Sequence, residues 1–201
     1  AERIRDEELA GLDLSCWRVA LNGAEPVTAT VLDRFLARFG GVGLPAEALT
    51  PVYGLAEASL AVTFSPLRER FRRTTFARDD LVRHGTATVA ADGTSLVSLG
   101  PPLPGFDLRI VDDDGERLPA GRLRRVYARG PSVMQGYLGL PDATALALRD
   151  GWLDTGDTGF LHEGQLYLYG RAKDLIVLRG RNFAPQDVEQ ALDGVEGLRA
   201  G

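Results

Sequence analysis

The stretch from Gly151 to Glu189, GWLDTGDTGFLHEGQLYLYGRAKDLIVLRGRNFAPQDVE, constrains this chain more than any other. It sets an acidic turn (Asp154 to Gly159) before a short strand pair and a Gly-Arg-x-Lys-Asp joint. A further strand (Leu175 to Leu178), a tight turn (Arg179 to Asn182) and a helix from Pro185 to Leu192 follow. Glycine lets a backbone turn sharply and lie close against a ligand. A carboxylate between two such turns, here Asp157, can accept a pair of hydroxyl hydrogen bonds. It can equally cap a hairpin, since Asp and Gly close turns everywhere. From these residues alone both roles stand.

Upstream, the pattern is that of one α/β unit. Ser15 to Leu21 has the apolar run of a buried strand and ends in the small-residue turn Asn22-Gly23-Ala24-Glu25-Pro26. Val27, Val31, Leu32, Phe35, Leu36 and Phe39 share one helical stripe, which Gly40-Gly41 is expected to stop. A strand at Pro51-Val52-Tyr53 follows and ends in Tyr53-Gly54-Leu55-Ala56-Glu57. The two strand-end turns are one helix apart, so both emerge at the carboxyl edge of the sheet, where open α/β sheets bind ligands. Tyr53 offers an aromatic face and Glu57 a carboxylate for a cation. A solvated glutamate beside a strand-end tyrosine is the plainer alternative.

Taken together, NGAEP, YG-x-x-E, TGD and GRAKD resemble the motifs of the adenylate-forming superfamily. The GRN-x-x-PQD-x-E continuation is similar to that of its fatty acyl-AMP ligase branch. The resemblance implies a fold of α/β plus β class, a fragment of the large adenylation domain followed by the start of the small α+β domain. Its boundaries would be an α/β part at 1–63, an insertion-like excursion at 64–99, a small β-barrel lobe at 100–170, and hinge plus small domain at 171–201. It further implies that Gly23, Ala24 and Glu25 line an adenine pocket with Tyr53 stacked on the base, and that Asn22 and Gly54 also belong to the nucleotide-binding set. Glu57 would bind Mg²⁺, Asp157 the ribose, and Arg171 the ribose or phosphates of ATP or AMP. Lys173, the only lysine in the chain, would be the hinge. Ala56 stands where many relatives carry Thr, a departure shared with the fatty acyl-AMP ligases.

Residues 64–99 hold an arginine run (Arg68, Arg70, Arg72, Arg73), the strand-like Thr74-Thr75-Phe76 and a short helix from Asp79 to Arg83. They read either as a solvated hairpin excursion or as the insertion that marks fatty acyl-AMP ligases, and an excursion this long favours the second. The arginines could also face an acidic carrier protein. Residues 100–129 alternate as two strands around an Asp-Gly turn. A helix is expected at Asp142 to Leu148.

A net charge of −5 gives no electrostatic reason to expect nucleic acid or an anionic membrane as partner. One cysteine, Cys16, excludes an internal disulfide, and no apolar run reaches spanning length, so a cytoplasmic protein is expected. The implied reaction is activation of a fatty acid to acyl-AMP and pyrophosphate, followed by transfer to the phosphopantetheine of an acyl carrier protein or polyketide synthase module. An acyl- or aryl-CoA ligase and a non-catalytic adenylate-binding scaffold are the alternatives. The phosphate loop and the downstream lysine of the resembled family do not occur in the chain. It is therefore expected to be a middle piece of a longer protein and inactive alone.

Overall fold

The computed structural model describes residues 4–178, 181–183 and 185. A short helix, α1 (Asp6–Leu9), precedes the first strand, β1 (Ala20–Asn22), which is shorter than the apolar run from Ser15 suggests. Helix α2 (Ala29–Phe39) starts where Thr28 Oγ1 accepts the Val31 N–H at 3.3 Å, the usual N-cap exchange of a side-chain oxygen for a missing turn. Its stripe buries Ala29, Leu32 and Phe39, while Val31 faces outward. The α-helix stops at Gly40 as expected. Gly40 keeps a right-handed φ of −59° and leads into a 3₁₀ turn that reverses at Gly43.

Strand β2 (Leu49–Tyr53) pairs parallel to β1, Ala20 opposite Leu49, and β3 (Thr63–Phe64) pairs antiparallel on its other side. The hairpin β4 (Arg73–Phe76) and β5 (Thr94–Val97) encloses a π-helical turn at Asp80–His84, where a short helix from Asp79 to Arg83 was expected. Next come β6 (Asp107–Val111), β7 (Arg124–Arg129), α3 (Pro141–Ala147) and β8 (Leu148–Arg149). The long strand β9 (Trp152–His162) and β10 (Gln165–Arg171) complete an antiparallel sheet in the order β10-β9-β7-β6, with β8 pairing to β9. The expected barrel is not closed among the described residues: the lobe is an open sheet. A 3₁₀ turn (Ala172–Asp174) leads to the hairpin β11 (Ile176–Leu178) and β12 (Arg181–Phe183). The turn residues Arg179 and Gly180 and the helix expected to Leu192 lie outside the described residues, apart from Pro185.

Packing binds these parts into one body. Tyr53, Ala58 and Val62 of the α/β part share a core with Leu108, Ile110, Val126, Ala128 and Leu166 of the sheet lobe. The β4–β5 hairpin is wedged against both. Its Val97 packs with Leu32 and Leu49, and its fully buried Phe76 sits edge-on to Phe160 (centroids 4.9 Å apart, 82°) and Tyr167 (5.4 Å, 80°). Edge-to-face packing suits the ring quadrupoles. A solvated hairpin is therefore not what residues 73–97 form. Two arginines of the run are engaged within the chain, Arg72 with Glu163 and Arg73 with Asp33.

Candidate functional site

The acidic segment expected as a turn is a bulge inside β9. Tyr127 faces Asp154 and Arg125 faces Thr158, so one short step along β7 spans a longer run of β9. The excess is taken up by Thr155, Gly156 and Asp157, with Gly156 at φ +77°, a conformation glycine adopts without steric penalty. Local bonds fix the bulge. Thr155 Oγ1 donates to the Val126 carbonyl (2.8 Å) and accepts the Asp157 N–H (3.2 Å), and Asp154 Oδ1 accepts the Gly156 N–H (3.0 Å). Asp154 is held in turn by Arg125 at 2.6 Å and the Tyr127 hydroxyl at 3.2 Å. Bulges re-aim side chains, and this one turns Asp157 toward the α/β part.

There Asp157 meets the other two turns. The Tyr53 hydroxyl at the end of β2 donates to Asp157 Oδ2 at 2.6 Å, and Arg171 Nε at the end of β10 lies 3.3 Å from Oδ1. Asp157 is only 7% exposed, whereas the Arg171 side chain is 59% exposed, so the cation stays partly solvated beside a shielded anion. Burial pushes the Asp157 carboxyl above its ordinary value, and the Tyr53 hydrogen bond and the Arg171 charge oppose that rise. Burial, then the Asp157 charge, push the Tyr53 phenol far up, so it remains a donor at any physiological pH.

These residues line one cavity of about 320 Å³, within the range of small-molecule sites. Ala24, Glu25, Tyr53, Gly54, Asp157 and Arg171 all contribute to its wall. Ala24 holds φ +69°, a strained conformation for a residue with a Cβ. Gly54 is dictated by proximity: a Cβ there would stand 1.3 Å from the Leu60 carbonyl oxygen. Asn22 ends β1 and Gly23 follows it, pressed against Val52; neither of these two expected pocket residues is on the cavity wall. Glu57 and Lys173 are also off the wall. Glu57 does not line the cavity; its carboxylate accepts the Tyr137 hydroxyl at 2.8 Å and its carbonyl accepts the Met134 N–H at 2.7 Å. Lys173 is exposed on the 3₁₀ turn after β10, while its neighbour Asp174 does reach the cavity wall.

Part of the wall was not foreseen. Thr94, Ser95, Leu96 and Val97 of β5 form one side, and Pro26, Val27 and Thr28 another. Their apolar and hydroxyl side chains carry no motif; the short TSLV alternation marks only a strand. A phenol donor, a carboxylate and a guanidinium around an otherwise mixed cavity can hold a vicinal diol next to an anion. Asp157 keeps lone pairs after the Tyr53 bond, since a carboxylate offers about four acceptor sites.

Known proteins match along these lines. Residues 2–138 match the family described as AMP-binding enzyme. A protein of Caulobacter vibrioides, provisionally named an acyl-CoA synthetase, is 40% identical over the whole chain, which covers 36% of it. A medium-chain-fatty-acid–[acyl-carrier-protein] ligase of Moorena producens is 35% identical over 95% of the chain, 35% of that protein. A solved structure from work on the fatty acyl-adenylate ligases of E. coli and L. pneumophila superposes with a TM-score of 0.89 at 40% identity. It matches 94% of this chain, which covers 35% of the solved one. The chain thus spans about a third of the length of these relatives. With most of its residues inside the matched profile, it belongs to the AMP-binding enzyme family, whose adenylate-forming fold it shares.

Proposed function

We propose that the longer protein represented by this chain activates a fatty acid as its adenylate, and that the cavity at Asp157 holds the nucleoside. The observation that carries the proposal is the convergence of the β1 turn, the end of β2 and the β9 bulge on one shielded carboxylate, with Arg171 at its side. Asp157 accepts the two ribose hydroxyls as charge-assisted bonds, stronger than neutral ones. The adenine lies between the Ala24–Glu25 turn and Tyr53, whose ring forms a wall while its hydroxyl keeps the carboxylate oriented. Arg171, always protonated and half in solvent, faces the α-phosphate, where negative charge grows as the fatty carboxylate attacks. The β5 side of the cavity excludes water from one flank.

The fit for Mg²⁺ is partial. This ion is commonly held by one or two carboxylates together with substrate phosphates, and Glu57 supplies one such oxygen pair. Among the described residues no cluster of three acidic, His or Cys groups could hold it alone. Bound there, Mg²⁺ would neutralise phosphate charge; the Tyr137 hydroxyl engages only Oε1 of Glu57, which leaves Oε2 to take that part. Lys173, exposed at the joint after β10, suits a pivot, because a hinge needs a position with few packing partners. The acceptor of the acyl group is a carrier-protein phosphopantetheine, by analogy with the Moorena relative.

Acyl-AMP formation by the full-length protein, read by mass spectrometry with ATP, Mg²⁺ and a panel of fatty acids, tests this reading. Acyl-AMP from the wild type and its loss in Asp157→Ala is the expected result; acyl-AMP at equal rates from both would refute it. The name of the Caulobacter relative favours a second reading, an acyl-CoA ligase. If the 64–99 excursion disfavours the thioester, trimming its outer loop should admit CoA. Equal CoA-thioester formation with and without that loop selects the ligase instead.

A further inference from the structure

A second cavity, of about 240 Å³, lies at the far edge of the sheet lobe and shares no residue with the first. Three arginines line it, Arg109, Arg117 and Arg129, with Trp152, Leu108 and one acid, Asp107. The edge strand β6 and its neighbour β7 supply Arg109 and Arg129, and the start of β9 supplies the indole. The Arg109 guanidinium stands 4.2 Å from the Trp152 ring centroid and 5.4 Å from that of Tyr127, and the Arg129 guanidinium also lies over the Trp152 ring, at 4.6 Å. Stacking on aromatic faces fixes a guanidinium in place and leaves its N–H fork pointing sideways, free for an oxyanion.

The charge count here is uncompensated. Asp107 pairs with Arg129 at 2.8 Å, and among the described residues neither Arg109 nor Arg117 pairs with a carboxylate. The acidic turn 112–116 does not line the cavity, and Asp112 uses an oxygen on its own backbone, accepting from the N–H groups of Asp114 and Glu116. Arg109 Nε is shielded from solvent and has no acceptor, in a fold where buried N–H groups normally find one. A preorganised cationic cavity with an unsatisfied donor in a chain of net charge −5 is unlike a solvated basic face.

We propose that this cavity binds a small phosphate-class dianion, held between Arg109 and Arg117 with Arg129 as third cation. Trp152 provides the probe, since Trp17→Phe leaves it the sole tryptophan of the chain. Inorganic phosphate is titrated against the emission of that protein, with ionic strength held constant by KCl. The expected result is a saturable change, weakened about tenfold in Arg117→Gln and in Arg109→Gln, the scale of one charge-assisted hydrogen bond. It should persist in Arg171→Gln, which alters only the first cavity. Circular dichroism confirms that each variant is folded, and Arg117, exposed and outside β6 and β7, tolerates replacement if Arg109 does not. A response that is absent, that KCl reproduces, that survives both arginine replacements, or that vanishes in Arg171→Gln overturns the proposal. Saturation by acetate as tight as by phosphate also overturns it, because a carboxylate would then be recognised equally.

Discussion

Asp157 sits where burial works against its charge. Its carboxyl is raised by burial, so the native state binds its proton more tightly than the unfolded chain does. The sign follows: this group contributes most to stability below its unfolded value of 3.8, and the contribution is lost as pH rises through the raised native value. Asp157→Asn removes the charge, and its amide oxygen can still accept from Tyr53. Thermal unfolding followed from pH 3 upward should show the wild type losing stability relative to Asp157→Asn as pH rises. A wild type that instead gains relative to the variant would mean that Arg171 outweighs burial. Tyr53→Phe tests the other half of the pair. It leaves a buried carboxylate short of a donor, an omission worth about 1–3 kcal/mol of stability in chemical denaturation, while the ring wall of the cavity is retained.

At the scale of elements, the β9 bulge and the β4–β5 hairpin build the site. Gly156→Val forces a β-branched residue to φ +77°, which should lower unfolding stability by about 1–3 kcal/mol and weaken nucleotide binding, read by denaturation and calorimetry on the same protein. Stability loss with unchanged binding would show that the bulge does not aim Asp157. Phe76→Ala opens a hole between the hairpin and the sheet lobe and should remove about 3–5 kcal/mol. How far these elements could be read from the sequence differs in a physical way. The strand-end turns at Asn22–Pro26 and Tyr53–Glu57 are legible because a small-residue turn after an apolar run is a local signal. The TGD segment reads as a hairpin turn because its residues are turn residues; only pairing to β7 and β10 stretches it into a bulged strand. Glu57 bonded to Tyr137, and β5 as a cavity wall, depend on contacts across long sequence separations that no local pattern carries.

Across the whole molecule, arginines stand at both candidate cavities. Arg171 serves the shielded carboxylate at one edge of the sheet lobe, and the stacked arginines around Trp152 occupy the other. Between them the shared core of Tyr53, Val62, Val126 and Leu166 locks the α/β part to the lobe, so that the three turns meet at fixed distances. No described helix is long and apolar enough to cross a membrane. The claim on which the functional reading rests is that Asp157 recognises a ribose diol. Calorimetric titration of the chain with AMP and with 2′,3′-dideoxy-AMP, for wild type and Asp157→Asn, measures that directly. The wild type is expected to prefer AMP by about tenfold or more, the scale of lost charge-assisted hydrogen bonds, and the variant not to discriminate. Equal affinity of the wild type for the two nucleotides would contradict it.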